Sequence, residues 1–364
     1  MDYRVNPKTG DKISVIGLGT SYISESPERE AIEALEFAFE HGINYADLAT
    51  AGDKTFGYYG KALSSVRKNM FYQVHFGAYF DTGEYGWTTD LDTVKRSIEF
   101  QFRKLKTDYI DYGFIHCIDS ESDFEDYRAN GVLQYLLDMK KQGAVRHIGL
   151  SSHTPAVANK ILDLGIADML MFSINPGYDY QHGEYANGSA SERMELYRRC
   201  EAEGIGISVM KPFSGGQLLD GKTSPFGKAL SVYQCIQYAL DKPAVLTVLP
   251  GIANVDDIKR LLKFFEIADS EKDYSVISSF TPKDMSGVCV YCNHCQPCPA
   301  GIDIGLVNKY YDLALAGDDM AADHYRKLSV HADDCLKCGH CESRCPFHVK
   351  QESRMEEISQ YFSK

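Results

Sequence analysis

The chain has 364 residues, 44% of them hydrophobic and 24% charged, which are values of an ordinary globular protein and exclude a disordered chain. A formal net charge of −13 repels phosphate backbones and anionic lipid, so neither nucleic acid nor a membrane is an expected partner. No apolar run reaches the roughly 18 residues of a membrane span, and the opening MDYRVNPKTG lacks the apolar stretch of a secretory signal, so a cytoplasmic location is expected.

In chain order, short apolar runs at 13–17, 44–47, 70–75, 109–116, 147–150, 169–174, 207–210 and 245–249 predict strands. Helix-like stretches lie between them. The stretch 27–40 opens with Pro and acidic residues, carries Ile32, Leu35 and Phe39 on one face and stops before Gly42. The stretches 90–105, 191–203 and 254–265 read the same way. Strand-then-helix units repeated eight times predict an α/β fold, a (β/α)8 TIM barrel, with a doubly wound open sheet as the second choice. The domain expectation is a barrel over 1–270, a Ser-, Asp- and Lys-rich linker over 271–286 and a second domain over 287–364.

Chemistry in such a barrel sits at the C-terminal ends of the strands. Asp47, His75 and His116 end three successive runs and are expected to converge on one mouth as the catalytic group. Two imidazoles suit proton transfer near neutral pH. A single strand-end His or Asp more simply bonds a loop backbone; three together favour a site. Cys117 follows His116, and strand alternation points it outward, into strand–helix packing, where a core role is expected. Further strand-end and rim residues are Ser151, Ser152, His153, Asn175 and Lys211, with Trp87, Tyr178, Tyr180 and His182 on the loops. Of these, Trp87, His153, Tyr178, Tyr180, His182 and Lys211 are the expected substrate rim.

Eleven cysteines with no secretory signal argue against a disulfide framework. Cys117, Cys200 and Cys235 are scattered; the other eight form two runs. The second, Cys335, Cys338, Cys341 and Cys345 before Pro346, is the C-x2-C-x2-C-x3-C-P run of bacterial ferredoxins. The first, Cys289, Cys292, Cys295 and Cys298 before Pro299, is one residue shorter. Because the fourth cysteine of such a run ligates the other cluster, two [4Fe-4S] clusters are expected. One is held by Cys289, Cys292, Cys295 and Cys345, the other by Cys335, Cys338, Cys341 and Cys298. Zinc is the rival, and it prefers separated cysteine pairs. His294 and His340 lie inside the runs, as loop side chains or donors to the cluster surroundings. Helical stretches at 304–316 and 320–328 complete a ferredoxin-like module containing helices.

With barrel and cysteine runs in place, the chain resembles the aldo-keto reductase superfamily, in its branch with a C-terminal 4Fe-4S ferredoxin-like domain. The matching segments are VIGLGT (15–20), GINYADLA (42–49), YGKAL (59–63), DYIDYGFIH (108–116), GAVRHIGLSSHTP (143–155), GIGISVMKPFSGGQLL (204–219), LTVLPGIANVDDI (246–258), CVYCNHCQPCPAGIDI (289–304) and CLKCGHCESRCPFHV (335–349). The resemblance implies carbonyl reduction with NADPH through an Asp-Tyr-Lys-His tetrad. Asp47 and His116 match its Asp and His, but the Tyr position is Gly52 and the Lys position is His75. Tyr58 and Tyr59 fall in the following helix and are expected to be structural. The positions that hold nicotinamide read Ser151-Ser152, Met171 and Met210, and the Glu-Asn pair near adenine reads Arg260-Leu261. The turn Ser214, Gly215, Gly216 to Leu218 keeps a shape that could cover a pyrophosphate. NAD(P)H use is therefore left open.

The function expected is an iron–sulfur oxidoreductase acting on a small organic substrate at the barrel mouth, with electrons passed through two clusters. Protons would move through His75 and His116, with Asp47 orienting His75. An electron-donor protein is a candidate partner. The alternatives are an NAD(P)H-dependent aldo-keto reductase with an altered site, an electron carrier whose barrel is a docking scaffold, and a lyase or isomerase with structural clusters.

Overall fold

The computed structural model describes residues 1–180, 183, 185–279, 287, 289, 295–315, 319–345 and 348–363. A hairpin of Tyr3–Val5 and Lys12–Ser14 underlies one end of the chain's main body. Eight parallel strands follow: β1 (Leu18–Gly19), β2 (Tyr45–Asp47), β3 (Phe71–Phe76), β4 (Ile110–Ile115), β5 (Val145–Ser151), β6 (Met169–Ser173), β7 (Gly206–Met210) and β8 (Val245–Val248). Each pairs with the next. Parallel bridges from Ile16 to Val248 and from Gly19 to Gly251 join first to last and close the barrel.

That seam explains why the run at 13–17 is not one strand. Its start belongs to the hairpin and its end to the seam. A Cβ on Gly17 would lie 2.8 Å from Leu249 Cδ2, and one on Gly19 would lie 2.8 Å from the Leu249 carbonyl oxygen. Only glycine lets the two backbones come this close. The Gly17 and Gly19 amides donate to Val248 and Pro250 at 2.9 Å.

The helices end where their caps dictate. Glu28–Glu40 follows Pro27, buries Ala31, Ala34, Leu35 and Ala38, and stops before Gly42 at φ 89°. Burying Leu35 alone contributes about 1.5–3 kcal/mol. Asp90 caps Leu91–Leu105 by accepting from Thr93 N, and Ser189 and Glu192 form a capping box on Ala190–Ala202. At the barrel's expected end and into the expected linker, Asp269–Lys272 and Ser275–Ser279 form helical turns laid on the barrel, with Ile277 in its core and Gln234 Nε2 donating to Asp273 O. Residues 280–286 lie outside the described residues.

The C-terminal module is helical. Ile304–Leu315, Asp319–Arg326 and Gln351–Phe362 pack around Ile304, Val307, Tyr310, Ala321, Met355 and Ile358. The same core takes in Tyr178 and Tyr185, which belong to the barrel's loop after β6. Lys327 Nζ lies 3.6 Å from the Trp87 ring centroid, and His324 Nε2 lies 3.6 Å from Cys117 Sγ. The module therefore covers the C-terminal ends of the strands. Among the described residues, no helix is long and apolar enough to cross a membrane.

Candidate active site beneath the C-terminal module

Alternation along each strand sets which side chains enter the barrel. Tyr45 and Asp47 on β2, Gln73 and His75 on β3, and Tyr112, Phe114 and His116 at β4 share the inward parity. At the mouth they form one hydrogen-bonded file. His75 Nε2 lies 2.7 Å from Asp47 Oδ1, His75 Nδ1 lies 2.9 Å from His116 Nδ1, and His116 Nε2 lies 2.7 Å from the Tyr85 hydroxyl. His75 and His116 are 1% and 4% exposed. The partners assign the tautomers: Tyr85 O–H donates to His116, His116 Nδ1–H donates to His75, and His75 Nε2–H donates to Asp47. Burial first, then neighbouring His75, holds the His116 imidazole well below its ordinary pKa. Gln73 anchors the base of the file. Its amide nitrogen donates to Asp47 at 3.1 Å, and its oxygen accepts from the Tyr45 and Ser208 hydroxyls at 2.6 and 3.1 Å.

Tyr85 is the member that sequence reasoning missed. It sits on the turn between Ala78–Tyr79 and Gly86–Trp87, after a loop that hooks onto the segment carrying Gly52. Tyr85 N donates to Ala51 O, Asp53 N donates to Gly83 O, and Gly52 bridges Glu84. The loop bonded to the segment of position 52 thus places a phenol in the file. Trp87, from the expected rim, donates its indole N–H to the His116 carbonyl at 3.0 Å.

A second group fills the mouth beside this file. The His153 ring Nδ1 pairs with Asp119 Oδ2 at 2.8 Å, and Tyr185 stacks on the ring at a centroid distance of 4.3 Å. Lys211 Nζ lies 3.2 Å from the Tyr185 centroid, and Asn175 donates to the Lys211 carbonyl. Burial opposes the Asp119 charge, but His153 and Lys309 outweigh it and hold this carboxyl well below the usual range. Asp119, Lys309 and His324 carried no sequence signal, because only docking of the module brings them together.

Several expectations need correction. Cys117 does not point into strand–helix packing. β4 ends at Ile115, and Cys117 takes a left-handed φ of 50°, which breaks the alternation and turns its thiol toward Asp119, His153 and His324. Burial, reinforced by Asp119, pushes that thiol's pKa up. Tyr178, 1% exposed, packs into the module's core and forms no open rim, whereas Tyr180 is 49% exposed on the outside. His182 lies outside the described residues. Tyr58 and Tyr59 are buried and structural, as expected.

The nicotinamide positions already hold contacts within the chain. Ser151 Oγ already accepts from Cys117 N at 2.7 Å, Ser152 Oγ donates to Asp119 at 3.1 Å, and Met171 Sδ accepts from Gln73 at 3.0 Å. Arg260 is paired with Asp257. The turn from Ser214 to Leu219 does keep an open backbone. Gly215 and Gly216 have φ of 62° and 92° with nothing within 4 Å of a would-be Cβ, beside buried Ser214 and Leu218.

The cysteine run does fit a metal cluster. Left-handed Lys337 and Gly339 fold it back on itself. Cys335 and Cys338 lie close enough to Cys341 to raise its thiol pKa, after burial as the first cause. Cys295, Cys298, Cys335 and Cys341 meet the same hydrophobic core. Cys289 and Cys345 are also among the ten described cysteines; Cys292 and His294 lie outside the described residues. Soft thiolates grouped around one core are the donor set of an iron–sulfur site. His340 accepts from Arg344. A cleft of about 860 Å³ lined by Arg67, Lys68, Arg103 and Lys106 opens at the opposite end of the barrel, away from every strand-end residue.

A closed eight-stranded barrel with titratable groups at one mouth, beneath a cysteine-rich module, defines a barrel oxidoreductase joined to an iron–sulfur domain. Residues 15–231 match the aldo/keto reductase family and residues 288–350 match a 4Fe-4S dicluster domain, so the chain belongs to the aldo/keto reductase family and carries such a domain at its C-terminal end. It is similar to L-galactose dehydrogenase of Arabidopsis thaliana, at 24% identity over 71% of this chain and 86% of that one. It is similar also to the uncharacterized oxidoreductase YqkF of Bacillus subtilis, at 23% identity over 75% and 94%. Among solved structures, the holo form of aldo-keto reductase AKR11C1 from Bacillus halodurans superposes with a TM-score of 0.63 at 20% identity, covering 77% of this chain and 97% of that one. An aldo/keto reductase from Klebsiella pneumoniae, in complex with NADP and acetate, gives 0.59 at 17% identity over 78% and 97%.

Proposed function

We propose that the chain is an iron–sulfur oxidoreductase acting on a small organic substrate in the covered mouth, with Asp47, His75, His116 and Tyr85 moving the protons. The observation that carries this reading is the unbroken hydrogen-bonded file of those four residues, its Asp47, His75 and His116 buried and its Tyr85 half-buried, beneath a cysteine-rich module. Cys289, Cys292, Cys295 and Cys345 would hold one cluster and Cys298, Cys335, Cys338 and Cys341 the other. Two such clusters, when bound, supply single electrons.

The chain's own residues do the rest. With Asp47 ionised, the file accepts a proton at Tyr85 and stores it on Asp47. With the proton on Asp47, every bond of the file reverses and Tyr85 donates. Gln73 keeps the Asp47 carboxylate in line with His75, and Trp87 fixes the backbone of His116. Burial keeps bulk water from short-circuiting the file. Hydride transfer from nicotinamide is not invoked here, because Ser151, Ser152 and Met171, at the positions that receive that ring in the family, already hold contacts within the chain. A reducing medium, as in the cytoplasm, suits thiolate ligands and oxygen-sensitive clusters.

Anaerobic purification tests the reading. The expected result is about eight irons and eight acid-labile sulfides per chain, from two four-iron clusters. An EPR signal should appear on reduction, with no hydride transfer when the same sample is titrated with NADPH. Zinc in place of iron, or NADPH binding at micromolar concentration with carbonyl reduction, overturns it.

A further inference from the structure

The cleft of about 860 Å³ at the end of the barrel opposite the mouth has two walls. One is Ser64–Asn69, which leads into β3 and brings Lys68; the other is the end of Leu91–Leu105 and the turn after it, which bring Phe102, Arg103, Lys106 and Tyr109. Arg67, 6% exposed, joins the walls. It donates to the Met70 carbonyl at 2.7 Å, to Thr107 Oγ1 at 3.2 Å and to the Tyr109 carbonyl at 3.0 Å, and Asp111 balances its charge at 2.8 Å. The other cations differ. Lys68, Arg103 and Lys106 are exposed, and among the described residues none of them is in an ion pair. Asp108 is the one carboxylate lining the cleft, so three cations face one anion. In a chain of net charge −13, such a surplus is no general basicity of the surface.

The dipole of Leu91–Leu105 does not account for it. Cations do gather at helix C-termini, but the last carbonyls are already capped: Lys106 N donates to Arg103 O, and Thr107 N donates to Phe102 O. Lys68 comes from the opposite wall. Lys106 holds a left-handed φ of 53°, where glycine is the usual residue, so a lysine stands there against the backbone preference. A neutral group adds a separate sign. The Tyr109 hydroxyl is buried with no hydrogen-bond partner, while the guanidinium carbons of Arg67 and Arg146 lie 4.3 and 4.1 Å from its ring centroid. Buried hydroxyls left unmatched are uncommon in native structures.

Charge and size select the ligand. A phosphate monoester carries about −1.5 to −2 charges at neutral pH and three acceptor oxygens, which matches a surplus of two positive charges. A carboxylate brings one charge and two oxygens. Arg103 offers a planar fork for two of the phosphate oxygens, and the lysines act as point charges. The volume falls in the roughly 300–1,000 Å³ range of small-molecule sites, leaving room beside a phosphate for an organic part, and Val66 and Phe102 supply apolar lining for it.

We propose that this cleft binds a small organic phosphate monoester, its phosphate held by Lys68, Arg103 and Lys106 and its organic part lying against Val66 and Phe102. The site goes beyond the function proposed above and depends on neither the clusters nor the proton file.

The test is calorimetric titration of the full chain, purified anaerobically with its clusters, using phenyl phosphate, inorganic phosphate, sodium benzoate and phenol as probes. Saturable binding of one phenyl phosphate per chain is expected, with inorganic phosphate weaker, benzoate at least tenfold weaker and phenol silent. Added salt should weaken binding, because the three cations are exposed. Lys68→Met and Lys106→Gly should each weaken phenyl phosphate at least fivefold. Glycine suits the backbone at 106, so that variant keeps the test open if another fails to fold. No saturable binding of either phosphate up to about 10 mM, unchanged affinity in both variants, or benzoate binding as tightly as phenyl phosphate each overturns the assignment. Iron and sulfide counts on the same sample separate this proposal from the redox reading: iron-loaded protein blind to phenyl phosphate sinks only the cleft, and zinc-loaded protein that binds it sinks only the redox reading.

Discussion

At the scale of single residues, the site divides into what alternation reveals and what it hides. Asp47, His75 and His116 were legible because strand parity and strand ends are written in the sequence. Tyr85 was not, because its place depends on a loop bonding to Ala51 and Asp53 across more than thirty positions. Cys117 was misread because a left-handed backbone overrides the two-residue period. The file itself yields two expectations. Tyr85→Phe removes the donor to His116 Nε2, so the ¹⁵N resonance of that nitrogen should move further downfield in histidine-labelled protein; an unchanged resonance would detach Tyr85 from the file. The second concerns acid. His116 and His153 have folded-state pKa values lowered chiefly by burial. In the unfolded chain they take up protons near the ordinary 6.5, so the unfolded state binds more protons below that value. Their contribution to stability is complete above about pH 6.5 and is lost as pH falls toward the folded values. Urea denaturation between pH 5 and 7.5 should show this decline, and His116→Gln should make it shallower.

At the scale of elements, the loop after β6 owes its shape to one buried network. Arg193, fully buried, donates to Asp179 at 2.9 Å and to the Ser173 carbonyl, while Tyr197 and Tyr238 donate to the same carboxylate at 2.7 and 2.8 Å. Removing one partner of a buried ion pair leaves an uncompensated charge and costs about 3–5 kcal/mol. Arg193→Met should lower the unfolding free energy by about that amount, read from the denaturant midpoint, whereas breaking the exposed pair Arg29–Glu33 should leave the midpoint unmoved. A loss below 1 kcal/mol in the Met variant would show that the network is decoration. Helix limits were readable to within a residue or so because caps are local: Pro27 and Asp90 open the helices expected at 27–40 and 90–105, and the helix expected from 191 begins at Ala190, behind Ser189. The seam was not, because Gly17 and Gly19 reveal their purpose only when the last strand lies against them.

At the scale of the whole molecule, two units legible in sequence as neighbours are stacked in space, one over the working end of the other. No local pattern foretold that Lys309 and His324 would face Cys117 and His153, since docking is set by surfaces and not by periodicity. Stripping iron with a chelator should therefore loosen the mouth as well as the module. Amide hydrogen exchange at Cys117, whose N–H is held by Ser151, is expected to quicken at least tenfold in the stripped protein; unchanged exchange would mean the lid sits independently of its metal. Tyr178 and Tyr185 belong to the barrel by chain order and to the module by packing. A guest that borrows two rings from its host is not portable cargo. Exchange of either half for a foreign counterpart would leave a hole in both, so the pair is bound to change in concert through descent.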